Sequence, residues 1–352
     1  MRGTVGKQTP AGSASPRSAE TSPAPSRWGY PPCAQAPEVV TPPEQIPLVV
    51  LLGPTASGKT GLSIELAHRL AAEGAPGEII NADSMQLYRG MDIGTAKADA
   101  AERQGHPHHL FDILEVTQEA SVAAYQQQAR ETVAAVRARG NTPILVGGSG
   151  LYLRAVTDII EFPPTDPQLR RQLESELAAE GAAALREELR RADPESASVI
   201  KDERRLIRAL EVIRLTGRSF TSYMPQRSYE PTVEPVIQIG LRVQRSLLHR
   251  RIEQRVQQMR QKGLLEEVRR LEEAGLRRGR TAPAAIGYQQ FLRVLDGALS
   301  EDQAVEETIV ATRKFARRQE TWFRADHRII WLDALGENLA EQAMEAIAGL
   351  TG

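Results

Sequence analysis

Residues 53–60 read Gly53-Pro54-Thr55-Ala56-Ser57-Gly58-Lys59-Thr60. This stretch fits the pattern G-x-x-x-x-G-K-[ST] of a phosphate-binding P-loop. It follows the apolar run Ile46 to Leu52, which is short and rich in Val and Leu, as a buried parallel strand is. Leucines at helical spacing from Gly61 to Ala72 predict a helix directly after the loop. A P-loop between a strand and a helix predicts an α/β fold, with a parallel sheet core and helices on both faces.

The whole loop, residues 53–60, is expected to bind a phosphate or a diphosphate. Its glycines let backbone N–H groups wrap an anion, and the helix N-terminus adds a positive dipole end. Lys59 can reach the outer phosphate, and the Thr60 hydroxyl can ligate a Mg²⁺ ion carried by that phosphate. Mg²⁺ is therefore the expected cofactor. A chance glycine-rich turn is the alternative, but the strand before the loop and the helix after it argue against that. The loop does not by itself indicate ATP.

Asp83 stands at the end of a second predicted strand, Glu78 to Ala82. A carboxylate at the C-terminal end of a parallel strand, one β-α unit beyond a P-loop, lies at the ligand edge of the sheet. Asp83 is therefore a candidate functional residue; the alternative is that it only caps a turn. The following run, Leu87 to Lys97, has no clear period and is predicted to form a loop over the site.

The third predicted strand, Pro143 to Val146, ends in glycines at 147 and 148. A P-loop protein that hydrolyses nucleotides usually has an acidic residue at the end of such a strand, where it helps to hold Mg²⁺. Glycine in that place argues against an ATPase. The helix before this strand is predicted to begin after a Ser121 cap and to end at Gly140.

Short, highly charged helices with no strand among them are predicted from about Pro163 to Tyr223, and Asp166-Pro167 is a typical helix start. A further strand, Val236 to Val243, then resumes the sheet. The chain is thus predicted to carry an inserted all-helical domain. The predicted domains are a disordered tail (1–45), a P-loop core (46–162), the helical insertion (163–230) and the second part of the core with C-terminal helices (231–352).

The tail, residues 1–45, is rich in Pro, Ser and Ala and has no apolar periodicity. It cannot bury enough surface to offset its chain entropy, so we expect it to be disordered. It has no apolar segment of the kind found in secretory signals, and a transit peptide stays open as an alternative.

Two basic regions raise the question of a nucleic-acid partner. Asp202 is predicted to cap a helix with an arginine row, which is usually a solvated face but can also contact RNA. Two long helices are predicted beyond it, Arg245 to Glu273 and Glu301 to Arg324. The second ends in basic residues interleaved with Trp322, as RNA-binding surfaces do, although cations at a helix C-terminus are also favourable in themselves.

The overall composition narrows the class of protein. The 352 residues include 44 Lys and Arg and 45 Asp and Glu. The resulting net charge of −1 neither indicates nor excludes a nucleic-acid partner. The single cysteine, Cys33, excludes a disulfide framework and suits a reducing cytosol. The histidines at 106, 108 and 109 match no standard zinc spacing. No apolar run approaches the roughly 20 residues of a membrane helix, so no membrane association and a cytoplasmic location are expected.

Several segments together resemble one family, the tRNA dimethylallyltransferases, also called tRNA isopentenyltransferases, in their bacterial form. The resemblance runs from about Leu48 to Asp333. Its segments are GPTASGKT (53–60), DSMQLYRGMDIGTAK (83–97), HPHHLFDI (106–113), PILVGGSGLYLRA (143–155), RRLIRALEV (204–212), RIEQRV (251–256), AIGYQQF (285–291) and RRQETWFR (317–324). The segment at 203–204 departs from the family, in which Pro-Gln is common.

This resemblance implies transfer of a dimethylallyl group from dimethylallyl diphosphate to N6 of adenosine 37, beside the tRNA anticodon. By the same matching, Asp83 is the general base, and Thr55 and Arg255 flank the diphosphate and the transferring carbon. A monomer that binds the anticodon stem–loop is expected. The residues that match tRNA contacts are Asp83, Ser84, Met85, Gln86, Ser149, Arg170, Arg204, Arg205, Arg208, Arg317 and Arg318.

Two other functions are left open by the residues alone. One is a P-loop kinase for a small molecule or a nucleotide, against which the missing acidic residue after the third strand counts. The other is a GTPase-like RNA-binding switch, which needs a guanine-reading N-K-x-D motif that this sequence lacks.

Overall fold

The computed structural model describes residues 46–224 and 227–351. The predicted disordered tail, residues 1–45, lies outside the described residues, and so does Gly352.

The described part of the chain builds a six-stranded sheet whose strands all pair in parallel, in the order β3-β2-β4-β1-β5-β6. The strands are β1 (Leu48–Leu52), β2 (Gly77–Asn81), β3 (His108–His109), β4 (Thr142–Gly147), β5 (Val236–Arg242) and β6 (Ile329–Asp333). The four predicted strands are confirmed with ends shifted by one or two residues, whereas β3 and β6 were not predicted. The first strand begins at Leu48 rather than Ile46, since Pro47 has no N–H to donate to a neighbouring strand.

Twelve α-helices complete the described fold. They are α1 (Lys59–Ala72), α2 (Val122–Ala138), α3 (Gly150–Thr157), α4 (Pro167–Glu180), α5 (Ala182–Ala192), α6 (Pro194–Val199), α7 (Glu203–Thr216), α8 (Arg245–Gln261), α9 (Leu264–Glu273), α10 (Tyr288–Leu295), α11 (Glu301–Phe323) and α12 (Leu339–Thr351). The predicted cap of α2 is confirmed, because the Ser121 side chain accepts a hydrogen bond from Ala124 N.

Helices cover both faces of the sheet, as predicted. Alternate residues of β1 enter two separate hydrophobic clusters: Val50 packs with α2 and α3, while Val49 packs with α1 and α12. A strand buried on both faces has no polar side, which is why β1 is a continuous apolar run rather than an alternating one. This arrangement places the P-loop at the carboxyl edge of the sheet.

The helical insertion has a hydrophobic cluster of its own, centred on Leu173, Leu189, Leu206 and Leu210. Its helices α4 to α7 confirm the predicted short helices, and Asp166 and Asp202 cap α4 and α7 as predicted. The domain boundaries at residues 163 and 230 stay predictions.

A buried carboxylate joins the start of this insertion to α7. The Glu211 side chain is fully buried and accepts hydrogen bonds from the Arg170 and Arg208 guanidinium groups and from Asp166 N. Those bonds hold the pKa of Glu211 below its ordinary value, against the opposing effect of burial. Arg208 also donates to the Pro163 and Pro164 carbonyls, so it fixes the chain where the insertion begins.

We expect Glu211→Ala to lower the free energy of unfolding by about 3 kcal/mol, because it leaves two partly buried cations and an N–H group without their acceptor. Urea denaturation at neutral pH measures the change. Glu174→Ala, on the exposed side of α4, is the matched control and should change it by under about 0.5 kcal/mol. An equally stable Glu211 variant would contradict a structural role for these arginines.

The prediction of a single helix from Arg245 to Glu273 was wrong. The chain forms α8 and then α9, which meet at Gly263, whose backbone is left-handed (φ 93°). Apolar spacing continues through the break, so the periodicity hid it. The break redirects α9, so that Val268 and Leu271 on its buried face pack with Tyr288 and Phe291. We call this further hydrophobic cluster the second core. The other predicted long helix is confirmed as α11.

Candidate active site

The P-loop backbone has the shape of an anion nest. Ala56 and Gly58 are left-handed, with φ of 63° and 99°, and Ser57 between them is not. Alternation of hand along a chain turns successive N–H groups toward one concave side. Lys59 lies along the same loop, and its Nζ donates to the carbonyl oxygens of Gly53 (2.9 Å) and Pro54 (2.7 Å). The N-terminus of α1 and a cation therefore meet at the loop.

Gln319 on α11 ties the P-loop to the end of β4. Its Oε1 accepts from Thr55 N (3.0 Å), and its Nε2 donates to the Gly148 carbonyl (2.9 Å). A Cβ atom on Gly148 would lie 2.3 Å from Gln319 Nε2, so only glycine allows this approach. Gly148, directly after β4, thus makes room for α11 at the position where a nucleotide hydrolase carries its acidic residue.

Asp83 is held by its neighbours at the end of β2. The Asn81 side chain accepts from Asp83 N (2.8 Å) and donates to Asp83 O (3.0 Å), and Tyr125 O–H donates to Asn81 O. Asp83 Oδ1 accepts from Met85 N (2.9 Å), so Asp83 caps the turn that follows β2. A carboxylate fixed through its own backbone points in a defined direction. Asn81 was missed in the sequence because nothing marks it there.

The predicted loop over the site, residues 87–97, is confirmed and is anchored from within. The buried Lys97 ammonium donates to the Tyr88 carbonyl and to the carboxylates of Asp92 (2.7 Å) and Asp112 (2.6 Å). An ammonium with three acceptors and two anionic partners is well compensated for its burial. The loop is therefore a fixed wall.

A cavity of about 320 Å³ brings the predicted catalytic residues together. Thr55 of the P-loop, Asp83 after β2 and Arg255 of α8 all line it. Arg255 Nη2 donates to the Thr95 carbonyl of the loop (3.1 Å). The remaining lining residues are Ser84, Met85, Gly94, Thr95, Ser149, Ile252, Val256, Met259, Ala284, Ala285, Ile286, Thr308, Thr312, Phe315 and Arg318.

Charges around this cavity act on one another. Burial first, and then the nearby Arg255 cation, lower the pKa of Lys59 to about 7, and the Asp83 carboxylate partly opposes this. Burial likewise lowers the pKa of Arg255, and Asp83 again opposes the shift. Two cations and one carboxylate are thus held together in a partly buried place, so the remaining positive charge favours binding of a further anion.

The predicted tRNA contacts fall into three groups. Five of them line the cavity, namely Asp83, Ser84, Met85, Ser149 and Arg318. A sixth, Gln86, lies behind it and donates from Nε2 to the Thr95 carbonyl. Arg317 and Arg318 also line an adjoining groove of about 410 Å³ beside the partly exposed Trp322. Arg204 and Arg205 are exposed on the insertion, whereas Arg170 and Arg208 bind Glu211.

The three histidines have separate surroundings. His109 Nε2 lies 2.6 Å from the buried Glu78 carboxylate, and His108 Nδ1 lies 2.8 Å from the His106 carbonyl. Within residues 46–224 and 227–351, no group of three His, Cys, Asp or Glu side chains could hold a metal ion. The same ranges contain no helix that is both long enough and apolar enough to cross a membrane.

A profile of the IPP transferase family matches residues 86–326. The chain belongs to the IPP transferase family. It is 57% identical to a tRNA dimethylallyltransferase of Pseudarthrobacter chlorophenolicus, over 84% of this chain and 97% of that one. It is 55% identical to a tRNA dimethylallyltransferase of Kocuria rhizophila, over 82% and 90% of the two chains.

Solved structures agree with this assignment. The tRNA isopentenylpyrophosphate transferase of Bacillus halodurans has a TM-score of 0.62 and 38% identity, over 87% of this chain and 97% of its own. A eukaryotic dimethylallyltransferase acting on tRNA has a TM-score of 0.73 and 26% identity, over 86% and 78% of the two chains. The predicted fold class, a parallel α/β sheet core with additional helices, is confirmed.

Proposed function

We propose that this protein transfers a dimethylallyl group from dimethylallyl diphosphate to N6 of adenosine 37 of tRNA and releases diphosphate. Names of the relatives support the class of reaction, tRNA prenyl transfer. The observation that carries the proposal for this chain is the cavity itself. It joins the P-loop through Thr55 and the Asp83 carboxylate to an apolar wall that includes Ile252, Met259 and Phe315. A diphosphate and a short hydrocarbon chain need these two surfaces side by side.

The diphosphate end of the substrate is assigned to the P-loop. Loop N–H groups, Lys59 and Arg255 offset the negative charge that grows on the leaving diphosphate as the C1–O bond breaks. An allylic carbon ionises readily once its leaving group is stabilised. The apolar wall excludes water, which would otherwise capture that carbon.

Asp83 is assigned as the proton acceptor. Adenine N6 is a poor nucleophile because its lone pair is delocalised into the ring. As the new C1–N6 bond forms, N6 must lose a proton, and a carboxylate within hydrogen-bond reach can take it. The Asn81 contacts to the Asp83 backbone fix where that carboxylate lies. The adenine must leave the anticodon-loop stack to reach it, which costs a few kcal/mol.

Mg²⁺ is proposed as the cofactor, with Thr60 as its protein ligand. Thr60 lies exposed in the first turn of α1, directly after Lys59. A single hydroxyl suits Mg²⁺, which keeps several waters and takes its other ligands from phosphate oxygens. When bound, the ion neutralises charge on the diphosphate. We further propose that the protein is a monomer and that it acts in the cytoplasm. Light scattering measures its mass in solution and so tests the monomer.

Thermal protection tests this proposal against the kinase alternative. Ligand at 100 times its Kd adds about 2.7 kcal/mol of stability, so a cognate ligand should raise Tm measurably. Dimethylallyl diphosphate with Mg²⁺ is expected to raise Tm further than ATP with Mg²⁺ at equal concentration. Stronger protection by ATP, or ATP turnover without RNA, would favour the kinase.

The exposed arginines are expected to contact RNA phosphates. Replacing Arg205, Arg317 and Arg318 by Ala should weaken tRNA binding and flatten its dependence on salt, because fewer counterions are released. Each lost contact should reduce the slope of log K against log salt by about 0.7–0.9. The Kd of dimethylallyl diphosphate should stay unchanged in the single variants Arg205→Ala and Arg317→Ala, because these two arginines do not line the cavity. Filter binding over a salt series measures the slope.

A control variant removes the same charge elsewhere. Arg190, Arg191 and Arg269 are exposed and already paired with Glu187 or Glu266 on their own helices. Their replacement by Ala should change tRNA affinity far less. Equal weakening of tRNA binding in both triple variants would mean that only net charge matters. Unchanged tRNA affinity in the first variant would mean that its three arginines are solvated and do not contact RNA.

A further inference from the structure

A buried carboxylate outside the cavity supports the loop that lines it. Glu267 on α9 is 1% exposed, and both its neighbour in sequence, Val268, and its hydrogen-bond partner Tyr288 belong to the second core. Burying a carboxylate in apolar surroundings is costly unless every lone pair is used. Glu267 meets that requirement with four neutral donors, three of which are consecutive N–H groups of one loop.

The four bonds divide evenly between the two carboxylate oxygens. Oε2 accepts from Asp92 N (3.1 Å) and Ile93 N (2.8 Å). Oε1 accepts from Gly94 N (3.1 Å) and from Tyr288 O–H (2.6 Å). A carboxylate is the side chain that can accept at both oxygens, and an amide of the same shape can accept at only one.

The Tyr288 ring packs against the same stretch of loop backbone, at Gly94. A Cβ atom on Gly94 would lie 2.5 Å from that ring, so the loop backbone rests directly on it. Gly94 and Thr95 then form part of the cavity wall. Loop residues 92–94 are thereby fixed in position by Glu267 and Tyr288, which touch them from outside the cavity.

The next bond along the chain reaches the predicted catalytic machinery. The Thr95 carbonyl, one residue beyond Gly94, accepts from Arg255 Nη2 (3.1 Å). Arg255 is also close enough to Lys59 for its charge to lower the pKa of that lysine. The two cations can bind one diphosphate together only if the Arg255 guanidinium points toward it. A displacement of Thr95 would therefore move the acceptor that holds this guanidinium.

We propose that Glu267 is a positioning residue for prenyl transfer, which acts on Arg255 through the Gly94–Thr95 backbone. This rests on the proposed function, in which Arg255 offsets charge on the leaving diphosphate. Since that charge grows between the bound substrate and the transition state, misorientation of Arg255 affects kcat more than substrate binding. A misplacement of about 1 Å can reduce the rate of an enzyme about 10²-fold.

Glu267→Gln keeps the side-chain volume and turns one oxygen into a donor that faces N–H or O–H groups. We expect kcat to fall by about 10–10²-fold, with the Kd of tRNA unchanged and the KM for dimethylallyl diphosphate changed by less than about threefold. Glu266→Gln is the matched control: it lies next in sequence, exposed, and pairs with Arg269 on the surface. Its kcat should stay within about twofold of the parent value.

A double-mutant cycle separates positioning from a general loss of structure. In an Arg255→Ala background, Glu267→Gln should lower kcat by less than about twofold, because the group that it orients is gone. If the double variant instead shows a fall in kcat equal to the product of the two single fold-changes, the proposal is wrong. It is also wrong if Glu267→Gln alone keeps the parent kcat. If Glu267→Gln does not fold, Tyr288→Phe carries the same cycle, since it removes one donor and keeps the ring.

Failure of the proposed role of Glu267 can be distinguished from failure of the proposed function. Absence of transfer from dimethylallyl diphosphate by the parent protein would refute the proposed function. Transfer by the parent at full rate, with Glu267→Gln equally active or its effect independent of Arg255, would refute only the role of Glu267.

Discussion

Replacing Asp83 by Asn should lower the kcat of prenyl transfer by about 10²–10⁴-fold while tRNA binding stays nearly intact. The variant removes the proton acceptor and keeps the shape. Asn can still accept from Met85 N through its own Oδ1, and the Asn81 contacts involve only the backbone of residue 83. Single-turnover transfer with saturating tRNA measures the chemical step directly.

Asp99→Asn is the control for this substitution. Asp99 is an exposed residue on the chain beyond the loop, and its carboxylate accepts from Glu102 N. Its kcat should match the parent. Full activity in Asp83→Asn would show that the proton of N6 leaves by another route and would remove Asp83 from the mechanism.

Lys59→Met should produce the second large effect, a fall in kcat of about 10²–10³-fold together with a higher Kd for dimethylallyl diphosphate. Methionine fills a similar length but carries no charge, so the leaving diphosphate loses a cation at the P-loop. Lys262→Met, at the exposed end of α8, is the control and should leave both quantities unchanged. A Lys59 variant with parent kinetics would contradict the assignment of the diphosphate to the P-loop.

The same lysine predicts a pH dependence of binding. Its pKa is lowered to about 7, so in the free protein the ammonium is present below that pH and is lost above it. A bound diphosphate favours the ammonium and raises that pKa, so binding above pH 7 takes up a proton. The affinity should then fall as pH rises from about 7 to 9, by up to about tenfold per unit.

Calorimetry at several pH values tests this in the parent and in Lys59→Met. Titration of the diphosphate itself is common to both proteins, so the difference between them isolates Lys59. We expect the parent to lose affinity relative to the variant as pH rises. Parallel pH profiles would mean that binding does not change the charge of Lys59, which would contradict this prediction.

Local patterns in the sequence were enough to predict four of the six strands of the described sheet and one side of the site. The P-loop follows from eight adjacent residues, and Asp83 from its place one strand further on. Both depend on short-range rules that hold in any parallel sheet. The family resemblance supplied Thr55 and Arg255, which no local rule connects.

The supporting residues could not be predicted in this way. Gln319 contacts Thr55 across 264 positions of sequence, and Glu267 contacts the Asp92 backbone across 175. Each is one polar residue on a helix whose pattern is otherwise ordinary. Only the folded arrangement shows that these side chains are buried and which backbone groups they bind.

The arginine row on α7 shows a related difficulty. Helical spacing predicts which residues share a face, but not what lies opposite that face. Arg205 is exposed, whereas Arg208, one turn further, binds the buried Glu211 carboxylate. The predicted RNA contact is therefore better tested with Arg205 than with Arg208, whose removal would also disturb the fold.

The most direct test of the proposed activity is prenyl transfer itself. Purified protein is incubated with Mg²⁺, labelled dimethylallyl diphosphate and unmodified tRNA, beside the same tRNA with guanosine at position 37. We predict label in the adenosine 37 tRNA, one diphosphate released for each group transferred, and no label in the guanosine 37 tRNA. A folded protein that labels neither tRNA, or that labels both equally, would contradict the proposed function.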